Sequence, residues 1–234
     1  MSHFSVAVIH REAQSVDDLL APFDENKTVK PYVKYTKQQA IDYVRQHWVT
    51  EDERKTDDEC WAMMAREYDN RTDAEGNIYS TYNPESRWDW YEEGGRWSGM
   101  LRLKHTNKTA DSARIKDVDF GPDPAAYKKC LRFWDVVVDH KDPMPGENFL
   151  TPFSEKYFMD YYGDRDTYAK HMSSFSTYAV VDADGTWYGK GDMGWWGLSS
   201  ETPEEARDWE THYIERFIDT AKDDMYITIV DCHI

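Results

Sequence analysis

An α+β fold in a single domain, with a mainly antiparallel sheet and helices packed on it, is what three features of the sequence predict. Strand and helix patterns interleave without a strict βαβ rhythm or a fixed repeat. Asp184-Gly185 falls between two β-rich runs, a hairpin signature. Three capping boxes, each a Thr with Gln or Glu three residues later, open helical patterns. No Pro/Ser/Gly-rich linker divides residues 1–234, so one domain is expected across the whole chain.

In chain order, His3 to Ile9 reads as a central strand because both of its faces are largely apolar. A short helix follows Ser15, carrying Leu19, Leu20 and Phe23. The box at Thr36 opens a helix with Ala40, Ile41, Val44 and Trp48 on one face, and the box at Thr56 opens another with Trp61, Met64, Ala65 and Tyr68. After a polar connection with a strand around Ile78 to Tyr82, Trp88 to Gly99 delivers three tryptophans around Gly94-Gly95. The glycine pair is expected to form a turn or a bulge at the sheet, and Trp97 to Leu103 to continue as a strand of it. His105 to Asp119 shows no pattern. Asp123-Pro124 caps a helix bearing Tyr127 and Leu131, and the β-branched run Trp134 to Val138 reads as a strand. Two short helices, 154–162 and 164–172, split at Gly163. The hairpin 177–188 follows, then a second Gly/aromatic stretch, Gly191 to Gly197. The box at Thr202, with Pro203 at the first turn, opens a helix presenting Ala206, Trp209, Tyr213, Phe217 and Ala221. Tyr226 to Val230 is the terminal strand, and Asp231 to Ile234 lie at its end.

Composition narrows the classes of function. The chain has 45 acidic against 28 basic residues, a formal charge of −17, which repels phosphate backbones and anionic membrane surfaces. Direct nucleic-acid binding is therefore not expected. No apolar run is long enough to span a bilayer and no signal peptide is evident, which points to a cytoplasmic protein with no membrane partner. Three cysteines, Cys60, Cys130 and Cys232, form no C-x-x-C pair and read as buried thiols. The acid is concentrated. Residues 51–75 hold ten acidic and four basic residues, with Glu51, Asp52, Glu53, Asp57 and Asp58 foremost; residues 201–224 hold nine and three, with Glu204, Glu205 and Asp208 foremost. Such runs are either solvated helix faces or a surface that docks on a basic partner.

The chemistry-bearing residues converge on a few stretches. No P-loop, dinucleotide fingerprint, H-E-x-x-H, G-x-S-x-G or EF-hand loop is found, so no cofactor is expected and the balance leans away from an enzyme. Trp88, Trp90, Tyr91, Arg96 and Trp97, with Trp195 and Trp196 from the second stretch, are the candidate ligand- or partner-binding residues. A guanidinium held against rings can grip a carboxylate or phosphate, although Arg96 buried as a structural clasp fits the sequence equally. The two clusters are expected to meet on one concave surface. Asp231 and His233, at i and i+2 on a strand, share a face. With His3 or His10 they would supply ligands for a metal or shuttle a proton, against the plainer reading of hydrogen-bonded structure.

Trp88-Asp-Trp-Tyr-Glu-Glu-Gly-Gly-Arg-Trp-Ser-Gly99, Gly191-Asp-Met-Gly-Trp-Trp-Gly197, Val230-Asp-Cys-His-Ile234 and the opening Phe4-Ser-Val-Ala-Val-Ile9 resemble a family of uncharacterised proteins of bacteriophages and prophages. The resemblance implies no reaction. It implies a phage-encoded accessory protein in the host cytoplasm, and by analogy of class one that binds and inhibits or redirects a host protein such as a defence nuclease through its acidic surface. The competing expectation is a small-molecule or nucleotide-binding protein built on the aromatic, glycine and arginine residues.

Overall fold

A computed structural model describes residues 2–50, 53–194 and 197–234. In order the elements are β1 (His3–His10), α1 (Val16–Leu20), β2 (Tyr32–Tyr35), α2 (Lys37–His47), α3 (Asp57–Glu67), β3 (Ile78–Ser80), β4 (Trp90–Glu93), β5 (Leu101–Arg102), β6 (Thr109–Ala110), β7 (Ser112–Arg114), α4 (Pro124–Val137), α5 (Glu155–Tyr162), α6 (Arg165–Ser173), β8 (Ala179–Val181), β9 (Trp187–Gly189), α7 (Pro203–Tyr213) and β10 (Tyr226–His233). This is an α+β arrangement in which antiparallel pairing dominates. Contacts gather the chain into two compact units, residues up to Ala21 together with Arg87–Ile234, and Pro22–Ser86.

The larger unit is built on β1 and β10. They pair antiparallel over their full length, with His3 opposite His233 and His10 opposite Tyr226. β1 also pairs with β8, in parallel, and β8 with β9 through the expected hairpin. The other side of β10 is shared end to end. β4 runs along Val230–His233, β7 along Tyr226–Thr228, and Gly94 and Asp111 close the gap by bonding the carbonyl and amide of Ile229 at 2.8 Å each. Every stretch of β10 is thereby satisfied on both sides, as a buried strand requires.

Alternation assigns the faces. Ala7, Ile9, Ile227 and Ile229 point to one face, where Trp209 and Tyr213 of α7 pack over them with Leu101, Ile115 and Val118. Tyr213 is fully buried, its hydroxyl bonded to Thr177 Oγ1 at 2.6 Å, while Trp209 Nε1 donates to the Thr177 carbonyl at 2.8 Å. Both bonds meet the polar needs of large buried rings. Phe4, Val6 and Val8 fill the opposite face, against which α1 packs. α4, α5 and α6 form a satellite cluster around Trp134, Val138, Phe158 and Tyr168.

The smaller unit pairs β2 with β3 and packs α2 on α3 around Ala40, Ile41, Val44, Cys60, Met64 and Ile78. Both of its helices, like α7, carry the full reciprocal capping box expected at Thr36, Thr56 and Thr202. All three cysteines are free; Cys60 and Cys232 are buried and Cys130 is half-buried.

Two expected strands are corrected. Trp97 opens no strand of the main sheet: Gly95–Trp97 is a 3-10 turn, and Leu101–Arg102 pairs only with β6. The sheet takes Trp90–Glu93 instead, because β10 needs a partner along Val230–His233 and the turn at Gly94 leads the chain off that edge. Trp134–Val138 is the last part of α4 and the residue after it. Trp134 and Val138 stand four apart on its buried side, so the β-branched run at 136–138 is overridden by packing on α6. The unpatterned 105–119 holds β6, β7 and a 3-10 turn, and the terminal strand extends through His233.

Candidate functional site

Where β1 begins and β10 ends, the pairing of His3 with His233 sets two imidazoles on one face with ring centroids 5.0 Å apart. Asp231, two residues before His233 on the same face, takes His3 Nδ1 at 2.9 Å. Asp89, just before β4, takes His233 Nδ1 at 2.6 Å. Each ring is thus oriented by its own carboxylate, the arrangement that fixes a histidine's tautomer. Among the described residues neither Nε2 has a hydrogen-bond partner. Trp90, opposite His233 on β4, stacks on that ring at 5.2 Å and 17° and meets His3 edge-on at 5.4 Å. Asp231, Asp89, His3, His233 and Trp90 therefore form one connected cluster.

The glycine-rich turn is fitted to this cluster by two carboxylates. Asp231 is 2% exposed, and its second oxygen accepts the Arg96 amide at 3.1 Å. Asp111 accepts the Gly99 amide and, at 3.1 Å, the Ser98 hydroxyl. Gly94 and Gly95 have φ of 69° and 48°, and a Cβ on Gly95 would lie 2.4 Å from Asp231 Cβ. Only glycine fits there, because the backbone is both left-handed and pressed against the aspartate. Gly95 is thus explained by the approach of the turn to β10, whereas Gly94 and Gly99, also at positive φ, are pressed against Asp111 and Thr109.

The candidate residues separate into three groups. Trp90 (43% exposed) and Arg96 (exposed) face solvent, and among the described residues the Arg96 guanidinium has no hydrogen bond or ion pair. That places Arg96 outside any buried clasp. Trp88, Trp97 and Tyr91 serve packing and anchoring: Trp88 is buried with Nε1 on the Leu20 carbonyl at 3.2 Å, Trp97 packs against the main core, and Tyr91 bonds Asp17. Burial, then the bond to Asp17, pushes the Tyr91 hydroxyl above its ordinary pKa. Trp195 and Trp196 lie outside the described residues, as do Glu51 and Asp52. The rest of the second stretch reaches this end of the sheet through Ser2, whose hydroxyl bridges the Gly194 carbonyl at 3.0 Å and the Gly197 amide.

His10, the alternative partner for Asp231, lies at the far end of β1. It bonds Thr228 Oγ1 at 2.9 Å and stacks on Tyr226. Cys232 points to the face away from Asp231 and His233, where burial, with the Asp231 charge adding, holds its thiol far above the ordinary range. Among the described residues no three His, Cys, Asp or Glu side chains are grouped to hold a metal ion, and His233 and Asp231 are each engaged with another partner. The acidic residues are exposed: Asp57 and Asp58 in the first turn of α3 pair with Arg45 and Lys37, Glu53 precedes that helix, Glu204 and Glu205 sit in the first turn of α7, and Asp208 pairs with Arg216 and His212.

Sequence reasoning missed a groove of about 720 Å³ near His10, floored by Ile9, Trp209 and Phe217 and rimmed by Arg11 and Asp184. It lies beside a π-helical turn, Ile214–Ile218, that extends α7. The i, i+4 run Trp209, Tyr213, Phe217, Ala221 gives no sign of that widened turn, since it reads as an uninterrupted α-helix. Pro203 and Thr202 at its start were legible; its end was not.

No protein-family model matches the chain, and neither a curated protein nor a solved structure is similar to it. Among the described residues no helix is long and apolar enough to cross a membrane.

Proposed function

We propose that the protein binds a small, planar, anionic ligand at the end of the sheet, with Trp90 as the stacking surface and Arg96 as the anion contact. The observation that carries this reading is Trp90 itself. A large ring 43% exposed, although it is stacked on a histidine only 3% exposed, offers its outer face to solvent. Exposed aromatic faces on a rigid support are what base-like rings stack on, worth about 1–3 kcal/mol per ring. The unpaired guanidinium on the adjoining turn supplies the matching charge. Isothermal titration with nucleoside monophosphates and aromatic carboxylates tests it. The expected result is saturable binding that Trp90→Ala and Arg96→Lys each weaken about tenfold, roughly 1.4 kcal/mol. Flat titrations with every member of both series would remove the reading.

A second reading keeps support from the exposed acid of α7, which would dock on a basic protein. The phage resemblance favours a host partner for it. Capture from host lysate on the immobilised chain should then retain one protein below about 0.1 M salt and release it above, as the Debye length falls under 10 Å. Charge reversal at Glu204, Glu205 and Asp208 should abolish that retention.

A further inference from the structure

We propose that His3 and His233 act as a general acid–base pair that cleaves a short ribonucleotide phosphodiester, an inference that rests on the ligand site just described. The two rings are direct cross-strand neighbours, with 5.0 Å between centroids. Each Nδ1 is committed to a separate carboxylate, Asp231 or Asp89, which leaves each Nε2 for proton transfer. Two imidazoles oriented in this way can serve one reacting group from two sides, one taking a proton and the other giving one.

Among the described residues no side-chain nucleophile is held on the pair. No Ser, Thr or Cys side chain among them is hydrogen-bonded to either ring. Ser2 Oγ is taken by Gly194 and Gly197, Ser5 Oγ accepts the Tyr178 amide at 3.2 Å, and Cys232 lies on the opposite face. A ribose 2′-hydroxyl beside a 3′-phosphodiester brings a nucleophile already held next to phosphorus, where a water would have to be positioned separately. Trp90 stacks the base and Arg96 meets the phosphate. The −17 charge of the whole chain opposes a long polyanion, so the substrate is of dinucleotide size.

The chemistry balances without a further reactant. One imidazole takes the proton of the 2′-hydroxyl as O2′ bonds to phosphorus. The P–O5′ bond breaks, and the other ring, as imidazolium, gives its proton to the departing O5′. The products are a 2′,3′-cyclic phosphate and a free 5′-hydroxyl, and proton exchange with solvent resets the pair.

The test uses the full chain with uridylyl-(3′→5′)-adenosine and its 2′-deoxy analogue, products being separated and weighed by mass spectrometry. The expected result is a 2′,3′-cyclic uridine phosphate from the ribose compound alone, a bell-shaped pH–rate profile, and loss of one limb with a rate drop of at least about 100-fold in each of His3→Gln and His233→Gln. Near-UV circular dichroism checks their folding, and His3→Asn and His233→Asn replace any variant that fails it. Equal turnover in the folded double variant marks a contaminating nuclease and overturns the proposal. Calorimetric binding of both compounds with no cyclic product also overturns it, yet leaves the ligand site standing. No binding of either, nor of the other nucleotides and carboxylates, removes both.

Discussion

At Gly95 two separate constraints coincide, a φ of 48° and an Asp231 side chain where a Cβ would go. Gly95→Ala should therefore cost about 2–4 kcal/mol in urea unfolding, from left-handed strain plus the forced displacement of a buried carboxylate. Gly163 offers the control. Its φ is 78°, but a Cβ there meets open space, so Gly163→Ala should cost only about 1–2 kcal/mol. Equal losses would show that contact with Asp231 does not constrain the turn. The pair also marks how far single residues were legible. That Gly94-Gly95 breaks the strand, as a turn or a bulge, follows from composition, and the shared face of Asp231 and His233 from their spacing. That Asp231 is the group the turn folds against does not, because the two lie 136 residues apart and only the pairing of β4 with β10 joins them. The pairing of β1 with β10 in turn selects His3 over His10, two histidines the sequence leaves equivalent.

For single elements, capping chemistry was more legible than β propensity. The Thr36, Thr56 and Thr202 boxes and the Asp123-Pro124 start are local arrangements that nothing distant has to complete. Strands depend on partners, and the readings at Trp97 and at Trp134–Val138 failed for that reason. α4 is also held by charge. Asp135, on its flank, accepts from Lys141 Nζ at 2.6 Å and from Arg165 of α6 at 2.8 Å. Burial pushes the Asp135 carboxyl up, but the two cations outweigh it and hold its pKa below the ordinary value. A depressed folded pKa contributes stability above the unfolded value, about 4, which is lost as pH falls through the folded one. Wild type should thus melt above Asp135→Asn at pH 7, and the gap should close as the pH is lowered below about 4. Thermal melts across pH 2–7 read this directly. A gap that is constant with pH would assign the effect to packing instead.

Across the whole molecule the α+β class was readable because it depends on the order of patterns, whereas the sheet order β4-β10-β1-β8-β9 was not, since it joins segments far apart in the chain. The β1–β10 pair has a further consequence, one of timing. During synthesis at about 5–20 residues per second, β1 leaves the ribosome roughly 10–40 s before β10 is made. Through that interval Phe4-Ser-Val-Ala-Val-Ile9 is an apolar, β-branched strand without its long antiparallel neighbour, the kind of segment that pairs with other chains or draws a chaperone. Force measured with an arrest peptide should accordingly show a step once His233 has cleared the exit tunnel, separate from any earlier step given by the compact unit Pro22–Ser86. A rise after β8 but before β10 emerges would mean that β1 and β8, in their short parallel register, already hold the nascent sheet. If that late step is found, the His3–Asp231 contact, which joins residues 228 apart in sequence, forms only after nearly all of the chain between them has already left the ribosome.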